Sequence, residues 1–275
     1  MKLTVRQVQY NVDILNPENK KSIVFLHGFT GSTKTWQETA KSLPDYRLVL
    51  VDLLGHGKTD SPNQAARYSM EQQISDLEDI FAQLELANFT LVGYSMGGRT
   101  ALAYAAVYPQ RVKALILESA SPGLQTERER LQRSQRDEKL ADSILAGGIV
   151  SFVEKWQDIP LFDSQKNLPE AVQHAVREER LVQKPIGLAN SLIGMGTGAQ
   201  ASLWEQLKLM GLPVLLITGS LDLKFTALAE KMLQALPNAE HGVIEAGHAI
   251  HVEKPAEFAT MIEEYLSSNY QGGKS

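Results

Sequence analysis

The chain has 275 residues, of which 43% are hydrophobic and 21% are charged, and its formal net charge at pH 7 is −5. Its length suits one large α/β domain or two ordinary ones, and its composition is that of a globular protein. The acidic balance argues against a nucleic-acid-binding surface. The lack of cysteine excludes disulfides, thiolate metal sites and cysteine nucleophiles.

The N-terminal segment MKLTVRQVQYNVDIL is the first predicted strand. Val8, Tyr10, Val12 and Ile14 alternate with polar residues, which is the period of a half-buried strand. Charges throughout this segment exclude the apolar core of a signal peptide, and no apolar run approaches the ~20 residues that would span a membrane. We therefore expect a cytoplasmic protein with no membrane partner.

Short apolar runs then alternate with helical patterns. The runs suit parallel strands covered on both faces, and they read SIVFLHG, RLVLVDLLG, FTLVGYS, KALILESAS, LPVLLITGS and AEHGVIEAG. Apolar residues recur at helical spacing from Met70 to Leu84 and from Phe225 to Leu236. This alternation predicts an α/β fold, with a mostly parallel sheet and helices on both of its faces.

The alternation stops between about Pro122 and Trp204. That stretch is helical and charged in pattern, and it ends in the glycine-rich piece LIGMGTGAQ. We expect a helical cap at 123–204, inserted between a first core part, 1–122, and a second core part, 205–275. A few extra surface helices would produce the same pattern.

A serine turn lies between the run FTLVGYS and an apolar helix. Gly93, Ser95 and Gly97 form G-x-S-x-G, which in this context predicts a nucleophile elbow. The partners of such a serine follow in the order Asp, His, and both Asp222 and His248 come directly after predicted strands. We predict a catalytic triad of these three residues. Alternatively, Asp222 caps the next helix and His248 is a surface residue.

The segment LHGFTGSTKT follows another predicted strand and supplies a glycine-rich turn. We expect the backbone amides of Phe29 and Met96 to form an oxyanion hole beside Ser95. The segment also resembles a phosphate-binding loop, but Thr33 stands where that motif needs a glycine before Lys34.

Other histidines and carboxylates lie near strand ends. We interpret His27 and Asp52 as residues that shape loops. His248 and His251 have H-x-x-H spacing, but the sequence offers no evident third ligand. We therefore expect neither a metal nor a cofactor.

Five motifs in order, LHGFTGS, DLLGHGKT, GYSMGG, GSLD and GH, resemble the α/β-hydrolase superfamily over nearly the whole chain. That resemblance implies the fold and the triad, but not the reaction, because esterases, lipases, haloperoxidases and C–C bond hydrolases share them.

A narrower resemblance rests on GYSMGGR, ESASPGLQTERERLQRSQRD, FVEKWQDIPLF, GMGTGAQASLW and GSLDLKF. These segments are similar to the 2-succinyl-6-hydroxy-2,4-cyclohexadiene-1-carboxylate synthases of menaquinone biosynthesis, called succinyl-cyclohexadiene synthases below. Such enzymes are cofactor-free lyases that abstract a proton from 2-succinyl-5-enolpyruvyl-6-hydroxy-3-cyclohexene-1-carboxylate and eliminate pyruvate. The resemblance implies a polycarboxylate substrate.

Arg99 acquires a role from this resemblance. A cation in the first turn of a helix faces the unfavourable end of the helix dipole, so its place needs a reason. The resemblance implies that Arg99 and Arg133 bind substrate carboxylates and that Tyr94 and Trp156 line the pocket. A further arginine of the family falls near Lys184 or nowhere, and we assign it no residue.

Other interpretations remain open at this point. Arg133 lies in a run of mixed charges typical of a solvated helix face, and Trp156 could belong to the core of the cap. The principal alternative function is a serine hydrolase, either a carboxylesterase or a C–C bond hydrolase. A binding protein that kept the fold without the chemistry is a third. We expect a monomer.

Overall fold

An eight-stranded sheet forms the centre of the computed structural model, which describes residues 1–271. The strands are β1 Lys2–Val5, β2 Val8–Leu15, β3 Ser22–Leu26, β4 Arg47–Val51, β5 Phe89–Tyr94, β6 Val112–Glu118, β7 Val214–Gly219 and β8 Ala239–Ile244. The strand order is β1-β2-β4-β3-β5-β6-β7-β8. The pairs β1/β2 and β2/β4 are antiparallel, and the other pairs are parallel.

Helices cover both faces of the sheet. One apolar cluster joins the sheet to α2, α3 and α8, and a second joins it to α1 and α10. The helices are α1 Gln37–Lys41, α2 Met70–Gln83, α3 Met96–Val107, α4 Glu127–Trp156, α5 Glu170–Leu181, α6 Pro185–Met195, α7 Trp204–Leu207, α8 Leu223–Ala235, α9 Ile250–Glu253 and α10 Pro255–Gln271. Short 3₁₀ turns span Thr33–Trp36, Ala65–Tyr68, Pro109–Arg111 and Pro160–Asn167. The predicted fold class is confirmed.

The apolar runs form strands because their side chains are buried on both faces of the sheet. All six residues of β5 are buried, as a central parallel strand requires. The edge strand β8 differs from the prediction, since only Ile244 is fully buried and Val243 is exposed. An edge strand has one neighbour, so one of its faces packs less completely.

The segment between β6 and β7 is helical wherever it has regular structure. Helices α4, α5 and α6 and the turn Pro160–Asn167 lie in it, and α4 is interrupted at Gly148, whose φ is +72°. It has an apolar cluster of its own: Ala141, Ile144, Phe152, Val153, Leu188, Ala189 and Leu192. The division into 1–122, 123–204 and 205–275 stays a prediction. None of the helices within residues 1–271 is long and apolar enough to cross a membrane.

The turn from β5 into α3 brings three backbone segments very close together. Ser95, at the turn, has a φ of +51°, which is rare for a residue with a side chain. A Cβ on Gly93 would lie 2.4 Å from the carbonyl oxygen of Gly97, and one on Gly97 would lie 2.1 Å from that of Leu26. Only glycine fits at these two positions, so the packing of β3, β5 and α3 fixes the turn.

We therefore expect Gly97→Ala to lower the free energy of unfolding by about 2 kcal/mol or more, because the added methyl group meets backbone that cannot rotate away. Gly211→Ala is the matched control, because nothing lies within 4 Å of its added Cβ, and it should change stability by less than ~0.5 kcal/mol. Urea unfolding of both variants measures the difference. Equal stabilities would contradict this account of the turn.

Candidate active site

Ser95, His248 and Asp222 lie within hydrogen-bonding distance of one another in series. His248 Nε2 is 3.1 Å from Ser95 Oγ, and His248 Nδ1 is 2.6 Å from Asp222 Oδ2. All three follow strand ends at the same edge of the sheet, after β5, β7 and β8. His248 and Asp222 are buried. This is the arrangement of a nucleophile or base, a proton acceptor and an orienting carboxylate.

Asp222 also caps a helix. Its Oδ1 accepts a hydrogen bond of 3.2 Å from the amide of Phe225, at the start of α8. Asp222 therefore does both things that its position in the sequence allows. One carboxylate oxygen caps α8, and the other accepts a hydrogen bond from His248. Two bonds to one side chain hold the carboxylate in place.

The backbone amides of Phe29 and Met96 both belong to residues that line the cavity containing Ser95. Within residues 1–271, neither amide donates a hydrogen bond to another group of the chain. Met96 begins α3, so its amide stands at the positive end of a helix dipole. Two such donors beside a reactive hydroxyl suit an oxygen that gains negative charge.

Arg99 lies in the first turn of α3 with only 7% of its surface exposed. Its Nη1 donates to the carbonyl of Met195 at 2.9 Å and to Gln200 Oε1 at 2.6 Å. Burial, together with the charge of Arg133, lowers the pKa of Arg99 to about 10, so the group is still charged at neutral pH.

Arg133 lies on α4 and lines the same cavity as Ser95 and Arg99. Its Nε donates to Asp137 Oδ1 at 2.8 Å, and 41% of its side chain is exposed. Arg133 is thus partly exposed, and it also faces the cavity. The cavity has a volume of about 160 Å³, and Ser95, Arg99 and Arg133 all line it.

Aromatic side chains form much of the remaining wall. The Tyr94 ring is tilted against that of His248, with centroids 5.3 Å apart, and the Trp156 ring meets that of Phe29 edge-on, with centroids 5.5 Å apart. Burial raises the pKa of Tyr94 well above its usual range, so its hydroxyl stays protonated. Trp156 lines the cavity and also packs on the apolar cluster of the helical segment. The Phe225 ring, whose centroid lies 4.6 Å from that of His248, also flanks the site, although no sequence motif marks it.

Comparison with known proteins identifies the family. Residues 21–255 match the alpha/beta hydrolase fold family. A Bacillus subtilis protein provisionally designated a 2-succinyl-6-hydroxy-2,4-cyclohexadiene-1-carboxylate synthase is 48% identical over 262 residues, which cover 95% of this chain and 96% of that protein. The synthase of that name from Enterobacter sp. is 32% identical, over 89% and 91% of the two chains. MenH from S. aureus superposes with a TM-score of 0.89 at 37% identity, over 95% and 98% of the chains.

The chain belongs to the succinyl-cyclohexadiene synthase family of α/β-hydrolase-fold proteins.

One buried cation of this family member was not found from its sequence. Arg180, at the end of α5, is only 7% exposed, and its guanidinium lies 4.6 Å from the centroid of the Phe162 ring. It lines a smaller neighbouring cavity, together with Tyr94. Lys184, by contrast, is exposed. The run VREERL resembles a solvated helix face, so only the packing of α5 distinguishes Arg180 from its charged neighbours.

The remaining strand-end residues serve the loops. His27 Nε2 accepts from the amide of Leu53 at 3.0 Å, and its Nδ1 lies 2.8 Å from the carbonyl of Gly28. Asp52 accepts from the amides of Thr33 and Lys58. His251 is bonded to Glu118 and Thr35. The geometry agrees with the loop-shaping interpretation of His27 and Asp52.

Two buried histidines in these loops, His27 and His56, make the stability of the fold depend on pH. Burial lowers the pKa of His27 to about 4 and that of His56 to about 3. An unfolded histidine binds a proton near pH 6.5. Between these values the unfolded state therefore holds more protons, and the free energy of unfolding falls as the pH falls.

We expect His56→Gln to reduce this pH dependence, since it removes one of the two groups that stay neutral in the folded state. The slope of unfolding free energy against pH should decrease by roughly 1.4 kcal/mol per pH unit between pH 6 and 5. Urea unfolding across that range, on the wild type and the variant, measures the slopes. Identical slopes would mean that His56 takes up its proton in the folded protein as well.

Proposed function

We propose that the chain is a lyase of menaquinone biosynthesis. It would eliminate pyruvate from 2-succinyl-5-enolpyruvyl-6-hydroxy-3-cyclohexene-1-carboxylate and yield 2-succinyl-6-hydroxy-2,4-cyclohexadiene-1-carboxylate. The observation that carries this proposal is the pair Arg99 and Arg133 in the same cavity as Ser95. A polycarboxylate needs such cations, whereas an apolar acyl group would be disfavoured beside them.

The reaction needs a base at one ring carbon and a leaving group at another. We propose that Ser95 Oγ, deprotonated by His248, removes the proton from the ring carbon next to the succinyl ketone. Asp222 would orient His248 and stabilise its protonated form. The electron pair shifts through the ring double bond, the bond from ring carbon to the enolpyruvyl oxygen breaks, and a conjugated diene remains. The leaving enolate takes up a proton to become pyruvate.

Removal of the ring proton would leave an enolate at the succinyl ketone. The amides of Phe29 and Met96 would stabilise its oxygen, which is the task that an oxyanion hole performs in acyl transfer. No bond between Ser95 and the substrate is needed, and water is not a reactant. The same set of groups can therefore serve an elimination.

The substrate carries three carboxylates, and the site has matching cations. We propose that Arg99 and Arg133 each bind one, because a planar guanidinium can grip a carboxylate through two nitrogens. Tyr94 and Trp156 would form the walls against which the ring packs. Arg180 is the candidate for a third contact, through the neighbouring cavity.

A serine hydrolase is the second candidate function. The observation that favours it is the series of hydrogen bonds from Ser95 to His248 to Asp222, which suits ester hydrolysis equally well. The two candidates differ in the role of the arginines, which only the lyase requires.

Other features of the protein belong to the same proposal. We infer that the helical segment 123–204 is a cap that carries Arg133, Trp156 and Arg180 over the sheet. The monomeric state, the cytoplasmic location and the absence of a cofactor stay predictions.

We expect the purified protein to release pyruvate from the enolpyruvyl substrate, followed through the NADH consumed by lactate dehydrogenase. Ser95→Ala should lower kcat by at least about 1000-fold, because it removes the base. Rapid turnover of a short p-nitrophenyl ester with no pyruvate from the enolpyruvyl substrate would instead establish the hydrolase.

Arg99→Ala should raise KM and lower kcat/KM for the enolpyruvyl substrate by about 100-fold or more, since a buried charge-assisted bond is lost. Arg111→Ala is a matched control, because that arginine pairs with Glu78 outside the cavity and should leave KM within about twofold. Steady-state kinetics of both variants test the role of Arg99. An unchanged KM in Arg99→Ala would remove the carboxylate-binding role.

A further inference from the structure

Asp137 is a buried carboxylate directly behind the cavity. It lies one helical turn after Arg133 on α4, and only 3% of its surface is exposed. Its Oδ1 accepts from Arg133 Nε at 2.8 Å. Its Oδ2 is sealed from solvent and has no hydrogen-bond partner among residues 1–271.

A carboxylate in this position destabilises the fold. Removing a charge from water costs free energy, and an oxygen that accepts no hydrogen bond offsets little of it. The fold nevertheless makes room for it, because a Cβ on Gly196 would lie 2.7 Å from Asp137 Oδ2. An exposed i,i+4 pair would need no such space, so the position of Asp137 calls for a role beyond helix stability.

The bond to Asp137 occupies one particular nitrogen of Arg133. Arg133 lines the cavity, whereas Asp137 is absent from its wall. Because Nε is held from behind, the two terminal nitrogens are left for a ligand. Arg99 is held in the same way, since Gln200 and the carbonyl of Met195 both bind its Nη1. Each arginine is thus anchored through one nitrogen.

Asp137 also acts on both arginines through its charge. The charge of Arg133 disfavours the protonated form of Arg99, and the charge of Asp137 favours it. Two guanidinium groups in one cavity repel each other before a ligand arrives. A fixed negative charge next to them offsets that repulsion.

We propose that Asp137 is a positioning residue, whose bond to Nε orients Arg133 toward the cavity. This inference rests on the proposed function, and it adds a residue that touches no substrate.

The test compares Asp137→Ala with Asp137→Asn. Alanine removes the anchor of Arg133, so KM for the enolpyruvyl substrate should rise about tenfold while kcat stays within about twofold. Asparagine still offers an oxygen to Arg133 Nε, so its KM should stay within about twofold of the wild-type value. Glu205→Ala, which breaks an exposed pair with Lys208, is the control and should leave KM unchanged.

A double variant distinguishes an effect of Asp137 on the orientation of Arg133 from an effect on the stability of the whole protein. If Asp137 acts through Arg133, adding Asp137→Ala to Arg133→Ala should change KM by less than about twofold. Equal increases in KM for the alanine and asparagine variants, a tenfold effect that persists without Arg133, or no effect of alanine would each overturn the proposal.

Binding of citrate, a simple tricarboxylate, keeps this test independent of the reaction. Calorimetry on the same variants should show Kd raised about tenfold by Asp137→Ala and little changed by Asp137→Asn. If the wild type releases no pyruvate, the proposed function fails. If citrate binding does not distinguish the two variants, the positioning role fails, whether or not the wild type releases pyruvate.

Discussion

The burial of the Arg99 guanidinium next to Ser95 is the constraint on which the site depends. Its backbone lies at the unfavourable end of the α3 dipole, but its Nη1 bonds the carbonyl of Met195, the last residue of α6. A helix C-terminus is where a cation is favoured. The charge is thus stabilised by a second helix, and the same bond connects the turn after β5 to the helical segment between β6 and β7.

This connection explains how a hydrolase-type site can serve a different reaction. In the proposed reaction the triad would supply the base and the two amides would stabilise an oxyanion, and neither role requires that water attack a carbonyl. Whether such a site catalyses hydrolysis or elimination would depend on the substrate that its cavity binds. Arg99 and Arg133 would favour a substrate with carboxylates, and Asp137 would keep Arg133 in place when the cavity is unoccupied.

The elements whose side chains are nearly all buried could be predicted from the sequence. The strand β5 and the helix α3 were predictable because most of their residues are apolar, and Ser95, Asp222 and His248 stood at recognisable strand ends. Arg180 was not predictable, because its neighbours Arg177, Glu178 and Glu179 make α5 resemble a solvated face. The same holds for Asp137, whose burial depends on how α4 packs against the glycine after α6.

The edge of the sheet shows the same limit. The run AEHGVIEAG resembles a strand covered on both faces, yet β8 has a single neighbour and stays partly exposed. Local pattern thus determines which element forms, while its partners determine how much of it is buried. The site combines both kinds of information, since its triad follows strand ends, while the burial of Arg99 and Arg180 depends on tertiary packing.

We propose that these groups perform an elimination in which water is not consumed. A single reaction tests this when the conjugated diene is followed by absorbance, pyruvate by enzymatic assay, and the mass of the intact protein is recorded during turnover. We expect diene and pyruvate in equal amounts and no adduct on Ser95. Pyruvate formed without the diene, or a covalent adduct that accumulates on Ser95, would contradict it.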